Sequence, residues 1–347
     1  MIAPKLSPGD EIRVIAPSRN LTEVWPAAHH HAMDFWRNEG YNVTFSKRCR
    51  ETNAFHSSSI ASRVADLHEA FLDPNVKMVV SCLGGFNANQ LLEHIDYSLI
   101  ARNPKILCGY SDVTALLNAV YARTGLVTYH GPHFSTFGFG KDNTYTRKYL
   151  FDCVAQEAPF AITPSEAAGT YHVIQEGSCQ GAIVGGNLCT LNLLQGTPYM
   201  PDLRNKVLFL EDDNIMGDYF CYEFDRNLQS LLQVDGAKDI RGIVFGRFDE
   251  SCGMSAETIT AIIRDKIPED IPVVFGVDFG HVFPICTFPI GGSVRLSAKD
   301  GQAEITIESH KTQSAGGCVR RFFLLLPIPD CGIISSTNKT TYRRSSA

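Results

Sequence analysis

The serine of the run GYSD, residues 109–112, has the setting of a catalytic nucleophile. Residues 105–108 predict a strand and residues 113–124 a helix, so Ser111 falls at a strand-to-helix turn. Such a turn exposes a serine at a sheet edge, and the helix N-terminus favours developing negative charge. Serines at helix starts more often serve as N-caps, and Val113 replaces the second glycine of a G-x-S-x-G elbow. Local pattern alone therefore favours the cap.

A glycine pair precedes another predicted helix start. Gly84 and Gly85 follow the predicted strand 77–82, and a helix is expected to open near Asn87. Glycines there allow the backbone to approach a ligand and donate an N–H to an oxyanion, although a tight turn uses the same residues. Neither G-x-G-x-x-G nor G-x-x-x-x-G-K-[ST] occurs, so no dinucleotide or P-loop nucleotide site is indicated.

Two further groups follow predicted strands in the second half. Glu211, Asp212 and Asp213 follow an apolar run at 207–210, and could hold a hard cation or orient a histidine. His281 lies in the loop GHVFP, residues 280–284. By spacing alone, a solvated acidic turn and a surface histidine are the simpler interpretations.

The elements that must position these residues predict an α/β fold. Candidate strands at 12–16, 42–45, 77–82 and 105–108 alternate with helical patterns, which is typical of a parallel sheet covered by helices. A helix is expected at 60–71 behind serines 57–59. Open parallel sheets bind ligands at the carboxyl ends of their strands, where the glycine pair and GYSD both lie.

The second half of the sequence predicts more strands and fewer helices than the first half. Short apolar runs predict strands at 181–184, 206–210, 242–245, 273–277, 293–297 and 303–307, with a helix at 256–266. We therefore predict an N-terminal α/β domain at 1–155, a linker at 156–177 and a smaller β-rich α/β domain at 178–309. Residues 310–347 are expected to form a disordered tail.

Bulk composition excludes several classes of function. A net charge of -6 among 347 residues gives no basic footprint for nucleic acid. No run approaches a membrane span and no signal segment is evident, so we expect a cytoplasmic protein. The 11 cysteines form no CxxC pair, and the consecutive histidines 29–31 cannot converge on one ion from a helix. No metal or cofactor is predicted.

In order along the chain, the sequence contains several short motifs. They are LSPGD at 6–10, VIAPS at 14–18, GG at 84–85, GYSD at 109–112, HGP at 130–132, GGNL at 185–188, GTPY at 196–199, LFLED at 208–212 and GHVFP at 280–284. Together they resemble the LD-carboxypeptidase family of serine peptidases over residues 4–309. The resemblance implies a flavodoxin- or Rossmann-like parallel sheet followed by the smaller β-rich domain.

The resemblance also implies a catalytic Ser, Glu and His in that chain order. The residues in the matching motifs are Ser111, Glu211 and His281, and the implied oxyanion donors are the backbone N–H groups of Gly85 and Asp112. Gly84, Asn87 and Tyr110 are expected substrate contacts. Members of the family are commonly homodimers, which we carry over as an expectation.

The run CLGGFNAN at 82–89 lacks the Arg that often precedes the glycine pair in cell-wall-recycling members. It resembles the microcin C immunity branch, which implies cleavage of the amide or acyl bond of a peptidyl- or aminoacyl-nucleotide antibiotic. One alternative is an LD-carboxypeptidase that removes the terminal D-amino acid from murein tetrapeptides. Others are an inactive peptide-binding protein and a metal hydrolase built on residues 211–213.

Overall fold

The computed structural model describes residues 1–310, which form two β-sheets and the helices that pack on them. The strands are β1 (Glu11–Ile15), β2 (Asn42–Phe45), β3 (Val76–Ser81), β4 (Ile106–Gly109), β5 (Thr128–His130), β6 (Phe160–Ile162), β7 (His172–Gln175), β8 (Gly177–Asn187), β9 (Lys206–Glu211), β10 (Gly242–Gly246), β11 (Val273–Val277), β12 (Phe288–Ile290), β13 (Ser293–Lys299) and β14 (Gln302–Ser309). The α-helices are α1 (Pro26–Asn38), α2 (Ile60–Leu72), α3 (Tyr97–Arg102), α4 (Thr114–Thr124), α5 (Thr144–Val154), α6 (Leu188–Asn192), α7 (Phe220–Leu232) and α8 (Ala256–Ile263).

The first sheet has the strand order β12-β5-β4-β3-β1-β2. Strands β1 to β5 are parallel, and β12 pairs antiparallel with β5 at one edge. From the other edge, the parallel strands run 2-1-3-4-5, which is the order of flavodoxin-like folds. The predicted α/β class and flavodoxin-like sheet are therefore confirmed.

The strand order reverses between β1 and β3, and this switch point creates a crevice at the carboxyl ends of the strands. Ile15 at the end of β1 pairs with Ser81 at the end of β3, and β4 lies on the other side of β3. Helices cover both faces of such a sheet, so β4 is buried throughout its length. The loops after β1, β3 and β4 consequently meet at one edge.

The second sheet has the order β6-β14-β13-β8-β9-β10-β11-β7. Its central strands β8, β9, β10 and β11 are parallel, and the remaining pairs are antiparallel. Asn187 at the end of β8 pairs with Glu211 at the end of β9. The loop after β11 starts from the same sheet edge and contains His281.

The local signals for two helices are confirmed. The hydroxyl of Ser59 accepts a hydrogen bond from Ser62 N and caps α2, and α4 ends at Gly125 in the left-handed conformation. The helix expected near Asn87 is a 3-10 helix, Ala88–His94. Asn87 does not cap it through its side chain, and Asn87 Oδ1 accepts a hydrogen bond from Arg63 Nη1 instead.

The predicted linker at 156–177 contains two strands, β6 and β7, which form the two edges of the second sheet. Strand β12 falls inside the predicted second domain but pairs with β5 of the first sheet. These strands are only three or four residues long, too short to give a readable periodicity. The domain boundaries stay a prediction. The predicted tail lies outside the described residues except for His310, which is buried.

Within residues 1–310, no helix combines the length and apolar character needed to cross a membrane. The cysteines of this part of the chain are free thiols, and Cys82 and Cys108 are fully buried at the ends of the strand-like runs predicted for them. Burial raises the pKa of both thiols far above the ordinary value, so they behave as small apolar side chains.

Candidate active site

Ser111 stands on a sharp turn between β4 and the helix that follows. Tyr110 is extended, Ser111 adopts a left-handed φ of 57°, and a 3-10 turn at Ser111–Val113 leads into α4. A left-handed serine is strained, as at the nucleophile elbow of α/β hydrolases. A Cβ on Gly109 would lie 3.0 Å from Val113 Cγ1, so the bare glycine makes room for the valine. The turn is therefore an elbow despite the missing second glycine.

His281 links Ser111 to Glu211. Its Nε2 lies 3.0 Å from Ser111 Oγ and its Nδ1 lies 2.8 Å from Glu211 Oε2. Ser111 follows β4, Glu211 is the last residue of β9, and His281 lies in the loop after β11, so all three stand at the carboxyl ends of strands. The two distances suit a serine whose proton passes to an imidazole oriented by a carboxylate.

Glu211 is fully buried, and two glycines create the space that it fills. A Cβ on Gly280, whose φ is +107°, would lie 2.7 Å from Glu211 Oε2. A Cβ on Gly246 of β10 would lie 3.0 Å from Glu211 Cβ and 2.5 Å from Phe279 O. Gly280, the first residue of GHVFP, must therefore be a glycine, because a side chain there would collide with the carboxylate of Glu211.

The pair of Glu211 and His281 is strongly coupled. Burial alone would raise the pKa of Glu211, but the charge and hydrogen bond of His281, together with the charge of His130, outweigh it and hold the pKa well below its usual range. Burial likewise disfavours the imidazolium, yet the charge and hydrogen bond of Glu211 raise the pKa of His281 above its ordinary value. The arrangement therefore stabilises a protonated His281 beside an ionised Glu211.

His130, at the end of β5, is the second histidine near this carboxylate. It is fully buried, stacks on Phe288 at 4.6 Å, and its Nε2 lies 3.8 Å from Glu211 Oε1. That separation is too long for a direct hydrogen bond, although the pKa of Glu211 responds to His130. His130 is therefore an electrostatic neighbour of the carboxylate.

The predicted oxyanion donors lie beside the candidate nucleophile. Gly85, Ser111 and Asp112 line one cavity, so the two loops that carry the donors face the same space. Gly84 packs directly on the serine, because a Cβ there would be 2.8 Å from Ser111 Oγ. The glycine pair therefore allows the backbone to approach the nucleophile closely.

The other predicted substrate contacts are placed differently. Asn87 Oδ1 accepts a hydrogen bond from Arg63, so its side chain is engaged within the protein. The Tyr110 ring stacks on His133 at 4.2 Å and lies 5.5 Å from the His281 ring. Burial raises the pKa of Tyr110 to about 12 and lowers that of His133 to about 3, so both are neutral near pH 7. Tyr110 thus forms a neutral aromatic wall behind His281.

A cavity of about 430 Å³ opens beside Ser111. Its apolar lining residues are Phe86, Leu193, Ile215, Met216 and Phe220. Its polar and acidic lining residues are Cys189, Thr190, Asn192, Asp212, Asp213, Glu223 and Asn227. Phe86 is 71% exposed, so the cavity offers an accessible aromatic side chain next to the glycine pair.

A metal site built on Glu211, Asp212 and Asp213 requires their carboxylates to converge, and in the described residues they do not. Glu211 faces His281, whereas the group of potential ligand atoms that converges in the described residues is Cys189, Asp212 and Asp213. Asp212 accepts hydrogen bonds from Asn187 Nδ2 and from backbone N–H groups. Burial, followed by the charge of Glu211, raises the pKa of Asp212 to about 7. Asp212 is therefore hydrogen-bonded to the start of α6 through Asn187 and Cys189.

Two family models match this chain. Residues 12–131 match the LD-carboxypeptidase N-terminal domain, and residues 180–296 match the LD-carboxypeptidase C-terminal domain. The chain therefore belongs to the LD-carboxypeptidase family of peptidases, as the motifs predicted.

Individual relatives agree with this assignment. Putative carboxypeptidase YocD of Bacillus subtilis (strain 168) is 45% identical over 328 residues, which cover 89% of this chain and 100% of YocD. The crystal structure of an MccF-like protein from Bacillus anthracis str. Ames superposes with a TM-score of 0.87 at 45% identity, covering 89% of this chain and 100% of that one. Microcin C7 self immunity protein MccF in complex with aspartyl sulfamoyl adenosine superposes with a TM-score of 0.77 at 25% identity, covering 90% and 99%.

Sequence reasoning missed several residues around the site. His130 and His133 lie in or just after HGP, and Ser18 ends VIAPS, so both motifs were visible but carried no role. The cavity residues of α6 and α7 had no signal beyond helical amphipathicity. Their place beside Ser111 depends on how the second sheet meets the first, which no local pattern encodes.

Proposed function

We propose that this protein is a serine peptidase that cleaves the amide or acyl bond of a peptidyl- or aminoacyl-nucleotide. The observation that carries the proposal is the hydrogen-bonded chain from Ser111 through His281 to Glu211, with distances of 3.0 and 2.8 Å. A pure binding protein has no need of a left-handed serine aligned with an imidazole and a buried carboxylate. This argues against the inactive peptide-binding alternative.

In the proposed reaction, Ser111 Oγ attacks the substrate carbonyl carbon while its proton passes to His281 Nε2. The backbone N–H groups of Gly85 and Asp112 stabilise the resulting oxyanion. Collapse breaks the bond to the leaving nitrogen, which takes the proton from His281 and leaves an acyl-serine. Water then attacks the ester carbonyl while giving a proton to His281, and His281 returns that proton to Ser111 Oγ as the acid product leaves. Glu211 orients the imidazole and stabilises imidazolium without becoming protonated.

The nucleotide part of the proposal has two supports. Similar structures include MccF with an aspartyl sulfamoyl adenosine bound, a ligand that joins an amino acid to a nucleoside. In this chain the exposed Phe86 stands in the wall of the cavity beside Ser111, and aromatic rings stack nucleobases for about 1–3 kcal/mol per base. Removal of a terminal D-amino acid from a murein tetrapeptide is the second candidate, because both matched family models are LD-carboxypeptidase domains.

The first experiment tests the substrate class and the serine mechanism separately. The wild type and Ser111→Ala are incubated with aspartyl and alanyl sulfamoyl adenosine and with a murein tetrapeptide, and products are followed by mass spectrometry. We expect the wild type to release the sulfamoyl nucleoside and Ser111→Ala to be inactive. Cleavage of the tetrapeptide alone would move the assignment to the second candidate. Full activity in Ser111→Ala would refute the serine mechanism.

A second experiment tests the nucleobase contact. Phe86→Ala is expected to raise KM for the aminoacyl nucleoside about tenfold, the equivalent of roughly 1.4 kcal/mol of stacking, while kcat changes little. Phe139→Ala is the matched control, because Phe139 is also exposed and lies outside the cavity beside Ser111. An unchanged KM in Phe86→Ala would remove this support for a nucleotide substrate.

A further inference from the structure

The side chain of Asp112, the residue after the candidate nucleophile, makes hydrogen bonds inside the protein. Its carboxylate is buried, with only 3% of the residue exposed. It accepts a hydrogen bond of 2.5 Å from Ser18 Oγ and one of 2.8 Å from Ala88 N, and the backbone of Asn87 also stabilises it. The carboxylate therefore joins the turn after β4 to the loops that follow β1 and β3.

Those contacts reach Gly85 through Ser18. A Cβ on Gly85 would lie 2.3 Å from Ser18 Oγ and 3.0 Å from Arg19 N, so the glycine rests directly on the Ser18 hydroxyl. Arg19 N donates to Gly84 O at 3.2 Å, and Ser57 Oγ donates to Ser18 O at 2.6 Å. The loop with the glycine pair is thus held against the end of β1, and the hydroxyl beneath Gly85 is held by Asp112.

Arg63 of α2 supplies the compensating charge. It is 3% exposed, and its Nη1 donates to Pro17 O and Asn87 O at 3.0 Å each, while its Nη2 donates to Gln90 Oε1 at 2.7 Å. Burial raises the pKa of Asp112, whereas its hydrogen bonds and Arg63 act in the opposite direction. A buried polar network of this kind is stabilising only when its members are paired, and it then fixes its elements rigidly.

We propose that the carboxylate of Asp112 is a positioning residue that sets the separation between the two oxyanion donors, its own backbone N–H and that of Gly85. The inference rests on the proposed function. Oxyanion donors must lie within about 2.7–3.1 Å of the developing charge, so a small drift of one loop weakens both bonds. One residue thus supplies a donor from its backbone and, through Ser18, fixes the loop that supplies the other.

The test uses Asp112→Asn, which keeps the shape of the side chain and removes its charge. We expect kcat to fall about 10²-fold, in the range for loss of one oxyanion donor, with KM within twofold of wild type. Binding of a peptide aldehyde, whose adduct on Ser111 places an oxyanion in the site, should weaken by a similar factor. The matched control is Asp66→Asn, because Asp66 is equally buried and accepts bonds from Arg48 away from the site.

Ser18→Ala keeps the test decisive if Asp112→Asn does not fold. It deletes one hydroxyl and should lower kcat about tenfold at unchanged KM, because the loop with Gly85 then loses its connection to the Asp112 carboxylate. The double variant should lose little more than Asp112→Asn, because both changes break one connection. Additive losses, or a folded Asp112→Asn with wild-type kcat and aldehyde affinity, would overturn the inference. A wild type that cleaves no substrate would instead refute the proposed function.

Discussion

Adding one methyl group at Gly280 should disable the site without removing any of its polar atoms. An alanine Cβ would lie 2.7 Å from Glu211 Oε2 and 2.8 Å from Glu211 Cβ. Carbon atoms in contact prefer about 3.5–4.0 Å, so the glutamate has to withdraw by about 0.7 Å or the loop with His281 has to move. Misplacement of a catalytic group by about 1 Å costs on the order of 10² in rate. We therefore expect kcat of Gly280→Ala to fall about 10²-fold.

Backbone strain alone has to be separated from this steric effect. Gly280 has a φ of +107°, where an alanine is unfavourable by about 1–2 kcal/mol. Gly301→Ala is the matched control, because Gly301 has a φ of +70° in the turn between β13 and β14 and nothing lies within 4 Å of its added Cβ. The control should lose similar stability and keep its activity.

The assay measures kcat for the aminoacyl sulfamoyl adenosine at fixed pH, with thermal unfolding of each variant recorded in parallel. Gly280→Ala should be folded and slow, and Gly301→Ala should be folded and as fast as wild type. Equal kcat values in the two variants would refute the reasoning, because the contact with Glu211 would then have no effect on the reaction.

Three other outcomes follow from the same site. The general base must be neutral, and Glu211 raises the pKa of His281, so kcat/KM should fall as the pH drops through a value above 6.5. Glu211→Gln should lower kcat and move the acidic limb of the pH profile to lower pH. Arg247→Met removes the counter-charge of the buried Asp278, which keeps its hydrogen bonds from Ser165, and should lower the free energy of unfolding by about 1.5–3 kcal/mol. The exposed Arg295→Met should cost less than about 1 kcal/mol, and urea titration measures both. A chelator should leave the hydrolysis rate unchanged in a direct product assay, and loss of activity would favour the acidic cluster as a metal site.

Much of the fold could be read from periodicity. The predicted strands 42–45 and 273–277 have the observed bounds, and the other predicted strands differ by a few residues at their ends. The three-residue strand β5 was not predicted. Long buried runs and capped amphipathic helices are strong signals because burial and backbone hydrogen bonding dictate them locally. The edge strands β6, β7 and β12 were not predicted, because three or four residues cannot establish a period and their partners lie far along the chain.

The candidate site was partly predictable for a different reason. Ser111 and the glycine pair have local signatures, since a tight turn between a strand and a helix restricts the residue types allowed there. Glu211 and His281 have none, and only the resemblance to a family selected them. The structure also shows why the motif GHVFP begins with a glycine, since Gly280 leaves room for the carboxylate of Glu211.

The sequence by itself determined the family and the α/β class with its flavodoxin-like sheet, and through the family resemblance it selected Ser111, Glu211 and His281 as candidates. Only the tertiary structure decided that Ser18 and Ala88 hold the Asp112 carboxylate, and that His130 stands 3.8 Å from Glu211. The physical reason is that local propensity acts over a few residues. Distances between strand ends far apart in the chain depend on strand order and on how the two sheets pack.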